Sequence, residues 1–427
     1  VFPFHCCIGW RKRSRLGTTN SIRSAGNPEM LTAHKIALEP NDRQATYFAK
    51  ACGTARFAYN WALAEWKRRY DLHRADPNQP KPTEGFLRRE LNAVKRKDFA
   101  WMLEVTKCAP QMAIKQLGRA FENFFAGRAK YPVFRKKGVH DRFTISNDQF
   151  EIKDQRIRIP NLGWVRLRER LRFEGKILSA TISRTADRWF VSVAVETEEP
   201  HPGVAPDSEA VGVDLGVATQ ATLSTGEKLE GAKPHRVLLK RLQRLSRGLS
   251  RKEKGSRNRH KAKTKLARLH ARISNIRRDG LHKLTTDLTR RFHTIGIENL
   301  NVSGMLKNRR LARSIADQGF HEFKRQLTYK AERRGNLVVV ASQWFASSKT
   351  CSACGHTLET LPLSARKWTC PECGKVLDRD VNAAVNLKKY AVSSTVSARG
   401  AEGAGGGRKA AVKPSATKRE SNGKTTA

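Results

Sequence analysis

Acidic side chains are scarce in this 427-residue chain. Only 39 Asp and Glu stand against 83 Lys and Arg, which leaves a formal net charge of +44. An excess of that size goes beyond what solubility requires and points to a polyanionic partner held over a wide surface, foremost nucleic acid. It argues against an ordinary small-molecule metabolic enzyme. Long apolar runs are also missing. No stretch approaches the roughly 18 residues of a membrane span, so a membrane partner is not expected. The opening VFPFHCCIGWRKRSR carries its charges after its apolar residues, the reverse of a signal peptide. There is no G-x-x-x-x-G-K-[ST] phosphate loop, and no Ser-His-Asp or Cys-His arrangement stands out. What is present is a 39% hydrophobic content, enough for real cores, and a length that suits two to three domains. These features lead us to expect a cytoplasmic protein.

Cysteines are few, eight in all, and half of them are patterned. Cys6, Cys7, Cys52 and Cys108 suit small buried hydrophobes in a reducing compartment. Cys351, Cys354, Cys370 and Cys373 read C-x2-C-x15-C-x2-C, a spacing that lets four thiolates close on one tetrahedral zinc. Gly355 and Gly374 follow each pair and permit the tight knuckle. The competing reading is two disulfides or free thiols. Four thiolates leave no open coordination position, so Zn2+ here is expected to be structural.

The hydrophobic period changes along the chain. Residues 1–29 lack a periodic pattern and suggest an upstream extension, disordered, ahead of Met30. Residues 30–39 read as a strand ending at Pro40. Asn41 and Gln44 form a capping box, with Phe48, Ala51, Cys52, Ala55 and Ala58 at helical spacing behind it. A second helix is expected after Pro110, carrying Ile114, Leu117, Phe121 and Phe124, so residues 40–139 form a helical module. Residues 140–200 alternate with period two and give short strands, from which Arg156, Arg158, Arg166 and Arg168 project toward possible phosphates. HPGVAPDSE reads as a linker. Residues 235–292 hold 20 Lys and Arg against three acids, consistent with two packed helices having a cationic outer face. Beyond Tyr390, residues 391–427 are small and polar, and are expected to be a disordered tail.

In so basic a chain, a carboxylate inside an apolar strand needs a reason. In AVGVDLGVATQATLSTGE, Val211, Val213, Leu215 and Val217 share one face, and Gly212, Asp214 and Gly216 share the other. The two glycines leave space beside the Asp214 carboxylate, and STGE turns the chain back as a hairpin. In FHTIGIENL, Gly296 again precedes a strand-borne acid, Glu298, by two residues. In DRDVNAAVNLKKY, Asp378 and Asp380 open a helix whose Val381, Ala384, Val385 and Leu387 face a core. Each acid also has a plain structural role open to it: a lysine partner, an exposed strand position or a helix N-cap. Together they call for a cation, because carboxylates sharing one cavity repel one another. Three hard oxygen donors suit Mg2+, and the chemistry is two-metal phosphodiester hydrolysis. In that scheme Asp214 bridges both ions, Glu298 binds one and Asp380 the other.

At these residues the sequence resembles a known family. GVDLGVATQATLSTGE, the block from IENLNVSGM to KAERRG, SSKTCSACG, KWTCPECG and DRDVNAAVNL are similar to the TnpB (OrfB) family of transposon-encoded proteins, which is related to the type V CRISPR effectors. The likeness runs from about Met30 to Tyr390 and is most specific over residues 297–387. It implies an α/β multidomain protein: a RuvC-like, RNase H-type nuclease domain over residues 205–345 and 377–390, interrupted by a zinc ribbon at 346–376. Residues 40–139 would be the helical recognition lobe, and residues 30–39 and 140–200 a β-rich wedge domain. The implied activity is RNA-guided DNA endonuclease, with a transposon-derived guide RNA and a target DNA as partners. The implied catalytic, Mg2+-binding acids are Asp214, Glu298 and Asp380; Asp380 is chosen over Asp378 because Val381-Asn382-Ala383 follows it. The implied zinc ligands are Cys351, Cys354, Cys370 and Cys373. Residues 1–29 have no counterpart in the family pattern, and Asn299 stands where the family often has Asp.

Two other functions fit part of the pattern. A non-cleaving zinc-ribbon nucleic-acid-binding protein or guide-directed repressor would use the cations and the ribbon but not the three acids. A DDE-type transposase would use the same metals but join DNA ends itself.

Overall fold

The computed structural model describes residues 30–139, 141–197, 209–362 and 364–402. The expected upstream extension at 1–29, the end of the expected tail and most of the HPGVAPDSE linker lie outside them. The chain divides into two compact units at residues 199/200. Among the described residues, no helix is long and apolar enough to cross a membrane.

The first unit runs β1 (Met30–Glu39), α1 (Asp42–Ala75), α2 (Glu84–Asp98), α3 (Cys108–Phe125), β2 (Arg142–Ser146), β3 (Glu151–Lys153), β4 (Arg156–Ile159), β5 (Gly163–Leu167), β6 (Lys176–Thr185) and β7 (Arg188–Thr197). The capping box forms: Gln44 N–H donates to Asn41 Oδ1 at 2.9 Å and the Gln44 side chain accepts from Asn41 N–H at 3.1 Å. The strands make one antiparallel sheet in the order β2-β6-β7-β1-β5-β4-β3. Phe48 of α1 lies with its ring 5.2 Å from Trp189 and 6.1 Å from Phe143, so helices and sheet share one core. The changes of period at residues 39/40 and 139/140 therefore mark changes of secondary structure, not of packing.

On β4 and β5 the pleat buries Ile157, Ile159, Val165 and Leu167 and exposes Arg156, Arg158, Trp164 and Arg166. Arg156 stands opposite Arg166, and Arg158 opposite Trp164. One sheet face is thus a cationic patch around an indole.

The second unit begins with β8 (Val211–Asp214), β9 (Ala221–Leu223) and β10 (Lys228–Leu229). The helices α4 (Pro234–Val237), α5 (Leu239–Ser250) and α6 (Arg257–Arg291) follow, then β11 (Thr294–Glu298), α7 (Val302–Met305), α8 (Ala312–Gln318), α9 (Phe320–Arg334) and β12 (Leu337–Ala341). The chain ends with β13 (Lys367–Thr369), β14 (Val376–Asp378) and α10 (Arg379–Glu402). The main sheet has the order β10-β9-β8-β11-β12. The first three strands are antiparallel, whereas β8, β11 and β12 run parallel. STGE does form the β9–β10 hairpin, with Gly226 at φ 91°.

The sheet is covered on both faces. Val211, Val213, Ile295 and Ile297 pack with Leu281 and Leu288 of α6, with Phe292 just after it, and with Phe323 and Leu327 of α9. The alternate residues, Gly212 and Gly296, lie under α10. Helix α10 also runs past Tyr390 to Glu402, where small polar composition suggested a tail. Ala391 is fully buried, with its Cβ about 3.0 Å from where a Gly296 Cβ would stand, so tertiary packing extends the helix.

Candidate metal-binding and acidic site

Asp214 and Glu298 end adjacent parallel strands. Ile295, Gly296 and Ile297 of β11 pair in register with Val211, Gly212 and Val213 of β8, which sets the two acids side by side at the carboxyl edge, where open α/β sheets bind ligands. The strand β8 stops at Asp214; Leu215 and Val217, expected to continue it, lie in the turn beyond. Gln318 holds that turn by donating to the Val217 carbonyl at 2.7 Å.

The third acid arrives on a helix. No Cβ fits at Gly212, where it would overlap the Ala384 carbonyl oxygen and the Lys388 nitrogen, or at Gly296, where it would overlap the Leu387 carbonyl oxygen. The glycines preceding the acids thus admit the α10 backbone, rather than leaving open space beside the carboxylates. That approach carries the first turn of α10 to the strand ends. Asp378 caps the helix, accepting from Asp380 N–H and Val381 N–H at 3.1 Å each, and pairs with Lys228 at 2.8 Å. Burial opposes ionisation of Asp378, but Lys228 and those backbone donors prevail and hold its pKa below the ordinary value. Asp380 is left to the cavity, with Arg366 3.7 Å away.

Asp214, Glu298 and Asp380 line one cavity of about 750 Å³, with Arg236, Arg313, Arg366 and Arg379 also on its walls. The Asp214 carboxylate has no hydrogen bond or ion pair with any described residue, although its backbone pairs with Thr222 in the sheet. Its pKa is pushed up to about 8, first by burial and then by the charges of Glu298 and Asp380, with Arg379 opposing. The hydroxyl of Ser347 donates to Glu298 Oε1. Asn299 accepts from Lys324 at 3.0 Å. Asp317, buried on the same wall, accepts from the backbone of His235 and Arg236 and from Arg277 at 3.0–3.2 Å, which gives it a structural role. An all-oxygen donor set with an unpaired carboxylate under like-charge repulsion fits a divalent cation.

The four cysteines converge. The sulfurs of Cys351, Cys354, Cys370 and Cys373 all lie within 4.8 Å of one another, the one group of potential ligands among the described residues to approach so closely. The three acids share their cavity without closing to that distance. Cys351 and Cys373 sulfurs are 3.7 Å apart and Cys354 and Cys370 3.5 Å, too far for disulfides but near the ~3.8 Å edge of a tetrahedron built on metal–sulfur bonds of about 2.3 Å. Gly355 at φ 84° and Gly374 at φ 67° close the knuckles. Chelating the knuckle metal is expected to disorder residues 346–376, seen as proteolysis confined to that segment and reversed by restoring metal. Unchanged proteolysis after complete removal would deny the metal its structural role.

Residues that sequence reasoning passed over hold this region together. Asn386 and Asn382, one turn apart on α10, are both buried and bind the chain between β12 and the first knuckle. Their i, i+4 spacing in NAAVN was visible, but nothing in the sequence said what they would face. Val381 and Val385, assigned to the core, are only half-buried.

The fold is a Cas12-like α/β multidomain arrangement: the chain superposes on a solved structure described as "Cryo-EM structure of the Cas12f1-sgRNA-target DNA complex", with a TM-score of 0.52, 15% identity and coverage of 82% of this chain and 83% of that one. Family profiles match at residues 191–309 ("Probable transposase", OrfB of the IS605 type), 320–387 ("Cas12f1-like, TNB domain") and 30–74 ("Helix-turn-helix domain"), although this last stretch folds here as β1 and α1. "Putative RNA-guided DNA endonuclease" of Streptomyces pristinaespiralis is 39% identical over 365 residues, covering 83% of this chain and 88% of that protein. "Putative RNA-guided DNA endonuclease InsQ" of Escherichia coli K12 is 36% identical over 373 residues, covering 84% and 91%. The chain belongs to the TnpB (OrfB) family, related to the type V effectors.

Proposed function

We propose that this protein is an RNA-guided DNA endonuclease encoded by a transposable element, with Asp214, Glu298 and Asp380 as its catalytic acids. The observation that carries the catalytic reading is the convergence of three acids, 84 and 82 residues apart in sequence, on one cavity at the ends of parallel strands. The strand order, antiparallel on one side of β8 and parallel on the other, supports a RuvC-like, RNase H-type domain. The β13–β14 ribbon is then an insertion between β12 and α10, with Zn2+ on its cysteines. Residues 40–139 act as the recognition lobe, and 30–39 with 140–200 as the wedge. Guide RNA and target DNA are the partners, and the net charge serves to grip an RNA–DNA hybrid through its phosphates. The site of action is the cytoplasm, at the nucleoid.

Mg2+ is the cation the oxygen donors fit, and when bound in pairs it activates water and stabilises the leaving oxygen. Asp214, its carboxylate unpaired, would offer both oxygens to a cation. Glu298 and Asp380 lie near enough to raise its pKa by their charge, one held by Ser347 and the other near Arg366. The arginines on the cavity wall attract the scissile phosphate.

The test is cleavage by the purified protein, with its copurified RNA and Mg2+, of DNA matched to that RNA; no cutting of matched DNA sinks the proposal and favours a guide-directed binder. RNA binding is expected to weaken steeply with salt, about a thousandfold between 50 and 200 mM if six or more phosphates are neutralised. A flat dependence in a filter-binding titration would remove the backbone-grip argument.

A further inference from the structure

The segment leading from β12 into the first cysteine knuckle reaches the acidic cavity through two serines: Ser348 lies on the cavity wall, and Ser347 bonds one of its acids. Ser347 is 4% exposed, and its hydroxyl donates to Glu298 Oε1. Its own position is set from α10: the Ser347 carbonyl accepts from Asn386 Nδ2 at 2.8 Å and from Asn382 Nδ2 at 3.4 Å. The same two amides donate to the Thr350 carbonyl at 2.6 and 2.8 Å, and Asn382 Oδ1 accepts from Ser352 N–H at 2.8 Å. Five hydrogen bonds from two buried amides therefore grip residues 347–352, the stretch that carries Cys351. Buried amides are costly unless fully partnered, and these are used on the knuckle backbone rather than on each other.

The consequence concerns Glu298. A glutamate at a strand end has three rotatable side-chain torsions, and in a cavity already holding Asp214 and Asp380 its charge is repelled outward. The serine hydroxyl fixes Oε1, and Oε2 carries no bond to a described residue, so it remains available to a ligand. We propose that Ser347 is a positioning residue that holds Glu298 in its ligating orientation, and that Asn382 and Asn386 join Ser347 to the knuckle, so that the four-cysteine site and the acidic cavity order each other. This rests on reading the cavity as a divalent-cation site.

The test uses the full-length protein with its guide RNA, and Mn2+ as the probe, bound ion being read from loss of the free-ion paramagnetic resonance signal. Ser347→Ala is expected to weaken Mn2+ binding by roughly tenfold, the lower end for loss of a group that orients a metal ligand, and to shift the Mn2+ dependence of cleavage equally. Guide RNA affinity and zinc content should stay as in the wild type, and Ser347→Thr, which keeps the hydroxyl, should restore Mn2+ binding. Removing the knuckle metal should weaken Mn2+ binding in the wild type and add little in Ser347→Ala, because both changes break the same link. Unchanged Mn2+ affinity in Ser347→Ala overturns the proposal. So do loss of zinc or RNA binding in that variant, failure of Ser347→Thr to rescue, or equal sensitivity of both proteins to metal removal. A wild-type complex that neither binds Mn2+ nor cuts matched DNA would instead sink the functional reading beneath it.

Discussion

Asp214→Ala is expected to lower guide-directed DNA cleavage by roughly a thousandfold or more while leaving RNA binding intact, because under the proposed reading the Asp214 carboxylate would be the central cation ligand and a methyl group offers no donor in its place. Asp214→Asn should cut no better, since the amide cannot supply the charge, yet it should fold more stably without divalent ions. The sign follows from proton linkage. An unfolded aspartate ionises near 3.8, whereas Asp214 in the fold holds its proton until about 8. Between these values the native state binds more protons than the unfolded state, so stability falls as pH rises through that window, and the full penalty stands above pH 8. Its size is on the order of 3–5 kcal/mol, allowing for solvent in the cavity. Thermal unfolding in chelator at pH 8.5 should thus favour Asp214→Asn over the wild type, with the gap closing toward pH 4. Saturating Mg2+ should reverse the order at pH 8.5, since only the wild type gains binding free energy from the ion. Retained cleavage in Asp214→Ala, or a wild type more stable than Asp214→Asn in chelator at pH 8.5, would contradict the catalytic assignment or its electrostatic basis respectively.

Asp214 and Glu298 stand out in the sequence because each breaks a local rule, a charge at the end of an apolar strand in a chain with few acids. The cysteines were legible because knuckle geometry is written in short spacings. Asp380 could be told from Asp378 only by resemblance, since both open the same helix; the structure separates them by the backbone donors and lysine that occupy Asp378. Ser347 carried no local signal. Its role comes from contacts to Glu298, 49 residues away, and to two asparagines more than 30 residues onward, and a serine in an irregular segment has no periodicity to betray burial. The helix beyond Tyr390 was missed for a similar reason. Small polar residues there suggest solvent exposure, but Ala391 packs against the sheet, a contact only the folded chain supplies. Gly212 and Gly296 read two ways, because a glycine beside an acid looks alike in sequence whether it opens space for a ligand or for a helix, and here both admit α10.

That difference makes the glycines the second place where a large effect is expected. Neither touches a ligand, so a reading based on open space predicts that a methyl group merely narrows the cavity. In the structure the methyl group at Gly212 would collide with the Ala384 carbonyl and the Lys388 nitrogen, and at Gly296 with the Leu387 carbonyl. These are backbone atoms of α10 and cannot move aside by rotating a side chain, so the helix itself must shift. Overpacking of a close interface costs about 1–3 kcal/mol or more, and here it also withdraws Asp380 from Asp214 and Glu298. Displacements near 1 Å at a reacting centre lower rates by about a hundredfold. Gly212→Ala and Gly296→Ala are therefore each expected to cut cleavage by at least that factor with every acid still in place, and to lower the thermal midpoint of the protein. Gly226→Ala serves as the comparison: it lies at φ 91° with nothing within 4 Å, so it strains only its own turn and should leave the acids where they are. If Gly212→Ala cuts at the wild-type rate, α10 does not lean on the strand as described, and Asp380 must reach the other acids by a different route.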